Sequence, residues 1–248
     1  MSHIINNDVI GIIGGMGPLA SAEFLKTIYE CSLRGVEQET PAVVVYSDPR
    51  VPDRTESLLN GECEILLDSL VDVLNRLREL GASRIVICCV TLHYLLSRLY
   101  DDQRRDIISL LDVIFDGVLR TRDRHLLVCT NGTRKLGLFQ MHPQWQLAQD
   151  QLVLPDEMDQ QLIHHKIILG IKRNNPLADL LGSLDALLAK YQVNSFIAGC
   201  TELHLLAKLA LLSGKGRRSY GCIDPLAIIA KDFAKQSAYQ ARELSTTN

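Results

Sequence analysis

The sequence predicts an α/β fold with parallel sheets, built as two similar halves, and three observations carry that reading. Short β-branched apolar runs alternate along the chain with longer segments of helical periodicity, and repeated strand–helix order produces parallel sheets. One stretch is stated twice, as CCVTLHYLL at 88–96 and GCTELHLL at 199–206. Each copy follows a buried-strand pattern, RIVIC at 84–88 and SFIA at 195–198, so Cys89 and Cys200, 111 positions apart, fall where a strand ends and a helical pattern begins. Ligands bind at that edge of an open α/β sheet. A helix N-terminus there favours negative charge and lowers a thiol's pKa.

At 248 residues the chain has room for one large domain or two modest ones. Its net charge of -3 carries no nucleic-acid or anionic-membrane footprint. The basic cluster Lys215, Arg217 and Arg218 reads as a solvated turn. Seven cysteines, an odd number scattered through apolar runs, point to a reducing cytoplasm. The first apolar run, 9–13, is too short for a signal sequence or a membrane span.

That run is the first strand, followed by GGMGP at 14–18 and a helix over 19–33, with Pro18 suited to the first helical turn. The glycines lack the GxGxxG spacing of a dinucleotide site, so no nucleotide cofactor is expected. Exposed amides around Met16 suit a small carboxylate instead. Residues 42–46 form a second strand, and 47–55 a stiff loop carrying Arg54. Arg54 is either a bidentate carboxylate clamp or a surface partner of Asp53 or Glu56.

A wide apolar stripe makes 62–80 a helix ended by Gly81. Strand 84–88 follows, then a short strand at 107–110, a helix to about 120 and a strand at 125–129. The turn Thr130-Asn131-Gly132-Thr133 then opens a helix, and its hydroxyls can cap that helix or hold an anion. Residues 141–153 read as irregular, with Trp145 covering core. Helices are expected at 157–172 and 176–191, with His164 and His165 as ordinary surface or partly buried histidines. Strand 195–198, a strand at 220–223, a closing helix from 225 to about 243 and a polar tail at 245–248 complete the chain.

The paired cysteines admit three readings. They can flank a planar carbanion centre, one as thiolate base and the other as thiol acid, because stereoinversion needs a proton donor on each face. At reacting distances the sulfurs would then lie roughly 7 Å apart, too far for a disulfide. Alternatively, Cys89, His93, Cys200 and His204 supply a Cys2His2 zinc set, or both cysteines are core residues. For His93 and His204, capping or packing competes with a direct role.

GIIGGMGP at 11–18, PDRT at 52–55, GCTEL at 199–203 and IDP at 223–225 together resemble the pyridoxal-independent aspartate/glutamate racemase superfamily over nearly the whole chain. The resemblance implies two pseudosymmetric Rossmann-like α/β domains with the active site in the cleft between them. Residues 1–100 plus 223–248 would carry Cys89, and 101–222 would carry Cys200. It implies two-base proton transfer, without cofactor or metal, on a small acidic amino acid. Aspartate leads and glutamate is the competitor, with an impaired acidic amino-acid-binding protein as the non-enzymatic alternative. Cys200 would deprotonate the L-enantiomer and Cys89 the D-enantiomer. Arg54 and Lys172 match residues associated with the side-chain carboxylate. Thr91, Thr133 and Thr201 match positions holding the α-carboxylate, with amides around Met16 in the same pocket. It further implies a homodimer, and the charge balance gives no reason to expect a nucleic-acid or membrane partner. Val90 stands where the family usually has asparagine and removes an amide donor; Leu92 replaces an alanine, which is expected to narrow the cleft.

Overall fold

A computed structural model describes residues 9–33, 35–212 and 220–246. The expected solvated turn at 215–218 and residues 247–248 of the expected tail lie outside the described residues.

Among the described residues eight strands form two four-stranded sheets, parallel throughout. The first sheet holds β1 (Val9–Gly14), β2 (Val43–Ser47), β3 (Ala82–Ile87) and β4 (Ile107–Ile108), in the order β2-β1-β3-β4. The second holds β5 (His125–Cys129), β6 (Leu152–Val153), β7 (Ser195–Gly199) and β8 (Gly221–Ile223), in the order β6-β5-β7-β8. Strand for strand these are the same order, so the duplication seen in the cysteine stretch is a duplication of topology. The first sheet extends past the boundary expected at residue 100, because β4 pairs with β3 through Ile85–Ile107 and Val86–Ile108.

The central strands are buried on both faces, as continuous apolar runs in a parallel sheet must be. One core cluster takes Ile10, Ile12 and Val86 from the first sheet and Leu127 and Ile197 from the second. The closing helix Pro225–Thr246 brings Leu226, Ile229 and Phe233 into that cluster, beside Phe24 and Ile28 of the helix Pro18–Ser32. The two sheets therefore share a core.

Three elements differ from expectation. The segment after Cys89 is a 3-10 helix, Thr91–Arg98, so the α-helix N-terminus expected to poise that thiol is not formed there. Residues 141–153 contain a short helix, Trp145–Ala148, and the edge strand β6. The expected helix 157–172 runs as Glu157–Leu162, a π-helical stretch Ile163–Ile168 and Leu169–Lys172. Among the described residues no helix is long and apolar enough to cross a membrane.

Candidate active site

In each sheet the order reverses between the two central strands, and loops leaving a carboxyl edge there open a crevice. From β1 comes the glycine turn. Gly15 sits at φ 88°, and a Cβ on it would lie 2.4 Å from the backbone of Asp48, so this position requires glycine. From β3 come Cys89, Val90 and Thr91; from β5 come Thr130 to Thr133; from β7 come Cys200, Thr201 and Glu202. These loops enclose a cavity of about 230 Å³. It is smaller than the ~300–1,000 Å³ usual for drug-sized ligands.

Eight of the ten site residues expected from sequence line this one cavity: Met16, Arg54, Cys89, Thr91, Thr130, Lys172, Cys200 and Thr201. Asn131 and Thr133 are not among its lining residues. Asn131 is spent on Gln160 and Gln161. Thr133 lies behind the wall, where its hydroxyl meets those of Thr91 and Thr130 at 2.9 and 3.0 Å. Leu92, expected to narrow the cleft, packs instead into the first unit's core with Leu66, Leu95 and Ile87.

Arg54 follows the helix N-cap Asp53, whose carboxylate accepts from the Glu56 amide, and this cap turns the guanidinium inward. It pairs with neither Asp53 nor Glu56. Nη1 donates to the carbonyls of Val51 and Pro52, and Nη2 to that of Met16, while Nε has no partner. A buried guanidinium with an open donor edge is ready to take an oxyanion.

The two cysteines have different surroundings. Cys200 Sγ donates to Glu202 Oε2 at 2.8 Å. Burial, and then the Glu202 charge, push that thiol well above its ordinary range, opposite to the lowering expected from sequence. Cys88, the neighbour of Cys89, is fully buried and belongs to the core. All seven cysteines are unpaired.

The zinc set is not assembled, because its two imidazoles are engaged elsewhere. His93 Nδ1 bonds the Cys89 carbonyl at 2.9 Å and Nε2 accepts from the Leu110 amide. His204 Nδ1 meets Asp224 at 2.6 Å and Nε2 meets Thr27 at 2.8 Å. Among the described residues no group of three or more His, Cys, Asp or Glu side chains converges as a metal would need.

Sequence reasoning passed over five lining residues: Asp53, Thr55, His164, Leu169 and Glu202. Glu202 and Thr55 stand inside recognised motifs without an assigned role. His164 belongs to the π-helical stretch, a local widening that often marks functional sites and that periodicity does not reveal. Its Nδ1 accepts from the Asn131 amide at 3.4 Å, and burial, with help from His165 and Lys172, lowers its pKa. Lys172 Nζ lies 3.3 Å from Glu202 Oε1. Burial works against its charge, but Glu202 and then Cys200 outweigh this and raise its pKa.

Two parallel α/β units closing on a shared cavity is the architecture of the racemase fold. The structure resembles an aspartate racemase from Picrophilus torridus, with a TM-score of 0.77 at 21% identity over 93% of this chain and 94% of that one. An allantoin racemase from Klebsiella pneumoniae is similar at 0.57 and 15%, over 94% and 89% of the chains. A glutamate racemase from Thermus thermophilus is similar at 0.53 and 17%, over 95% and 82%. The chain belongs to the Asp/Glu/hydantoin racemase family, whose model matches residues 13–232. Family and fold together make it an isomerase.

Proposed function

We propose that the protein interconverts L- and D-aspartate by two-base proton transfer at the α-carbon, with Cys89 and Cys200 as the acid–base pair. The observation that carries this reading is that one cysteine from each unit lines a single small cavity that also holds Arg54 and Lys172. Two cations suit a substrate with two carboxylates. Thr91, Thr130 and Thr201 line the same cavity and, with the backbone around Met16, would hold the α-carboxylate beside one of the two cations.

In the L-to-D direction, the Cys200 thiolate takes the α-proton and forms an S–H bond while the C–H electrons pass into the carboxylate-stabilised carbanion. The Cys89 thiol then delivers its proton to the opposite face, leaving Cys89 as the thiolate that starts the reverse reaction. No net proton is gained or lost. Glutamate is the competing substrate, since one methylene is worth only ~1–3 kcal/mol of discrimination. Binding of an acidic amino acid without turnover is the second reading, favoured by the protonated, Glu202-bound Cys200 and by Val90. We further propose a cytoplasmic homodimer; the unpaired cysteines support a reducing compartment, and sedimentation tests the dimer.

The deciding experiment is proton NMR in deuterated water with L-aspartate and, separately, L-glutamate, without pyridoxal phosphate. Loss of the α-proton signal with appearance of the D-enantiomer is expected, and formation of the D-enantiomer is abolished in Cys89→Ala and in Cys200→Ala. Binding without exchange for either amino acid would overturn the racemase reading and favour the second.

A further inference from the structure

Two-base transfer at the cysteines leaves one buried group in the cavity without a task. Glu202 is only 3% exposed. Its Oε2 accepts from the Cys200 thiol, and its Oε1 has no hydrogen-bond partner, although Lys172 Nζ stands 3.3 Å away as an ion pair. A buried carboxylate is costly unless its oxygens are matched. The fold nevertheless makes room for this one: a Cβ on Gly17 would lie 2.2 Å from Oε1, so Glu202 reaches from the second unit onto the bare backbone of the first unit's glycine turn.

Charge points to what Oε1 awaits. With both cysteines counted as thiols, Arg54, Lys172 and Glu202 are the cavity's inner charges, and two cations less one anion leave +1. A dicarboxylate that carries an ammonium group has charge -1 and cancels this. An α-hydroxy or unsubstituted dicarboxylate has charge -2 and leaves a buried excess. Arg54 and Lys172 can each take a carboxylate, and the ammonium group then needs an acceptor. Asp53 is exposed and already caps its helix, and the threonine hydroxyls of the lining are neutral acceptors that cannot balance an ammonium charge. Glu202 is the buried carboxylate that remains.

We propose that Glu202 recognises the substrate's α-ammonium group. Lys172 Nζ pairs with Oε1 at 3.3 Å, and on binding it exchanges onto a substrate carboxylate. Glu202 thereby selects α-amino over α-hydroxy and unsubstituted dicarboxylates. This rests on the acidic amino-acid reading above and adds the residue that enforces the amino group.

Calorimetric titration of the full chain with L-aspartate, L-malate and succinate tests it, using the wild type, Glu202→Gln and Gly17→Ala, with thermal melts to verify folding. The wild type is expected to bind aspartate at least about tenfold more tightly than the other two. Glu202→Gln should weaken aspartate roughly tenfold to a hundredfold while malate and succinate hold or tighten. Gly17→Ala, which keeps the charge but displaces the carboxylate, should shift the ratio the same way. Equal weakening of all three ligands in Glu202→Gln would overturn the proposal, as would a wild type that does not prefer aspartate. If Glu202→Gln does not fold, an unchanged ratio in Gly17→Ala overturns it. A wild type that binds none of the three overturns the acidic amino-acid reading and this proposal with it.

Discussion

In the proposed mechanism, Cys200 and Val90 are the residues whose chemistry bears most directly on turnover. The Cys200 thiol is held protonated by burial and the Glu202 charge, so its thiolate fraction grows tenfold with each pH unit below its raised pKa. In the direction that starts at Cys200, kcat/KM is therefore expected to climb through neutrality without levelling below pH 9. A pH profile of α-proton exchange from L-aspartate checks this, since kcat/KM reports the free enzyme's groups; a plateau near pH 7 would contradict it. Val90 lines the cavity while belonging to the shared core. Val90→Asn supplies an amide donor worth ~1–3 kcal/mol to an unmatched substrate group, and should lower KM for aspartate about tenfold. The same amide placed in apolar surroundings should cost about 1–2 kcal/mol of stability. Steady-state kinetics and urea unfolding on one preparation read both.

Among the elements, the 3-10 helix Thr91–Arg98 is fixed by one histidine. His93 joins the Cys89 carbonyl to the first turn of the helix Leu110–Leu119, donating from Nδ1 and accepting at Nε2. Burial lowers its pKa from 6.5 to about 4, and protonation would remove the acceptor that holds the Leu110 amide. Between these values the unfolded chain binds a proton that the folded one does not, so stability falls as pH drops from 6.5 toward 4 and is complete above 6.5. At 1.36 kcal/mol per pH unit this is on the order of 3 kcal/mol. In urea unfolding across pH 4–7, His93→Gln should lose about one proton of that dependence; an unchanged slope would show that His93 does not carry it.

Across the whole molecule, His204 ties the two halves together. It lies on the helix Leu203–Leu212 that follows the Cys200 stretch, and bonds Asp224, which caps the closing helix, and Thr27 on the first helix. Lys208, one turn further on, reaches Thr27, Glu23 and Glu30 on that same first helix. Removing the imidazole leaves a buried carboxylate short of its partner, which costs ~3–5 kcal/mol. His204→Ala is expected to lose that much in urea unfolding and to reduce turnover by misplacing Cys200. Full stability in the variant would contradict the tie.

Strand–helix alternation, the glycine turn, the duplicated cysteine stretch and hence the α/β fold were legible because each depends on local periodicity and turn chemistry. Arg54, Thr91, Thr130, Lys172 and Thr201 were legible through motifs written in short runs. The orientation of neighbouring side chains was not. Glu202 reaches the cavity because Gly17, nearly two hundred residues away, has no Cβ, and His164 reaches it from a π-helical stretch that apolar spacing does not register. Thr133, Asn131, His93 and His204 turn away because hydroxyls, amides and carboxylates on other elements satisfy them first. Which strand ends carry the two cysteines follows from backbone order, which is local; which groups face the cavity follows from packing, since a buried polar atom points to whichever partner the opposite element supplies.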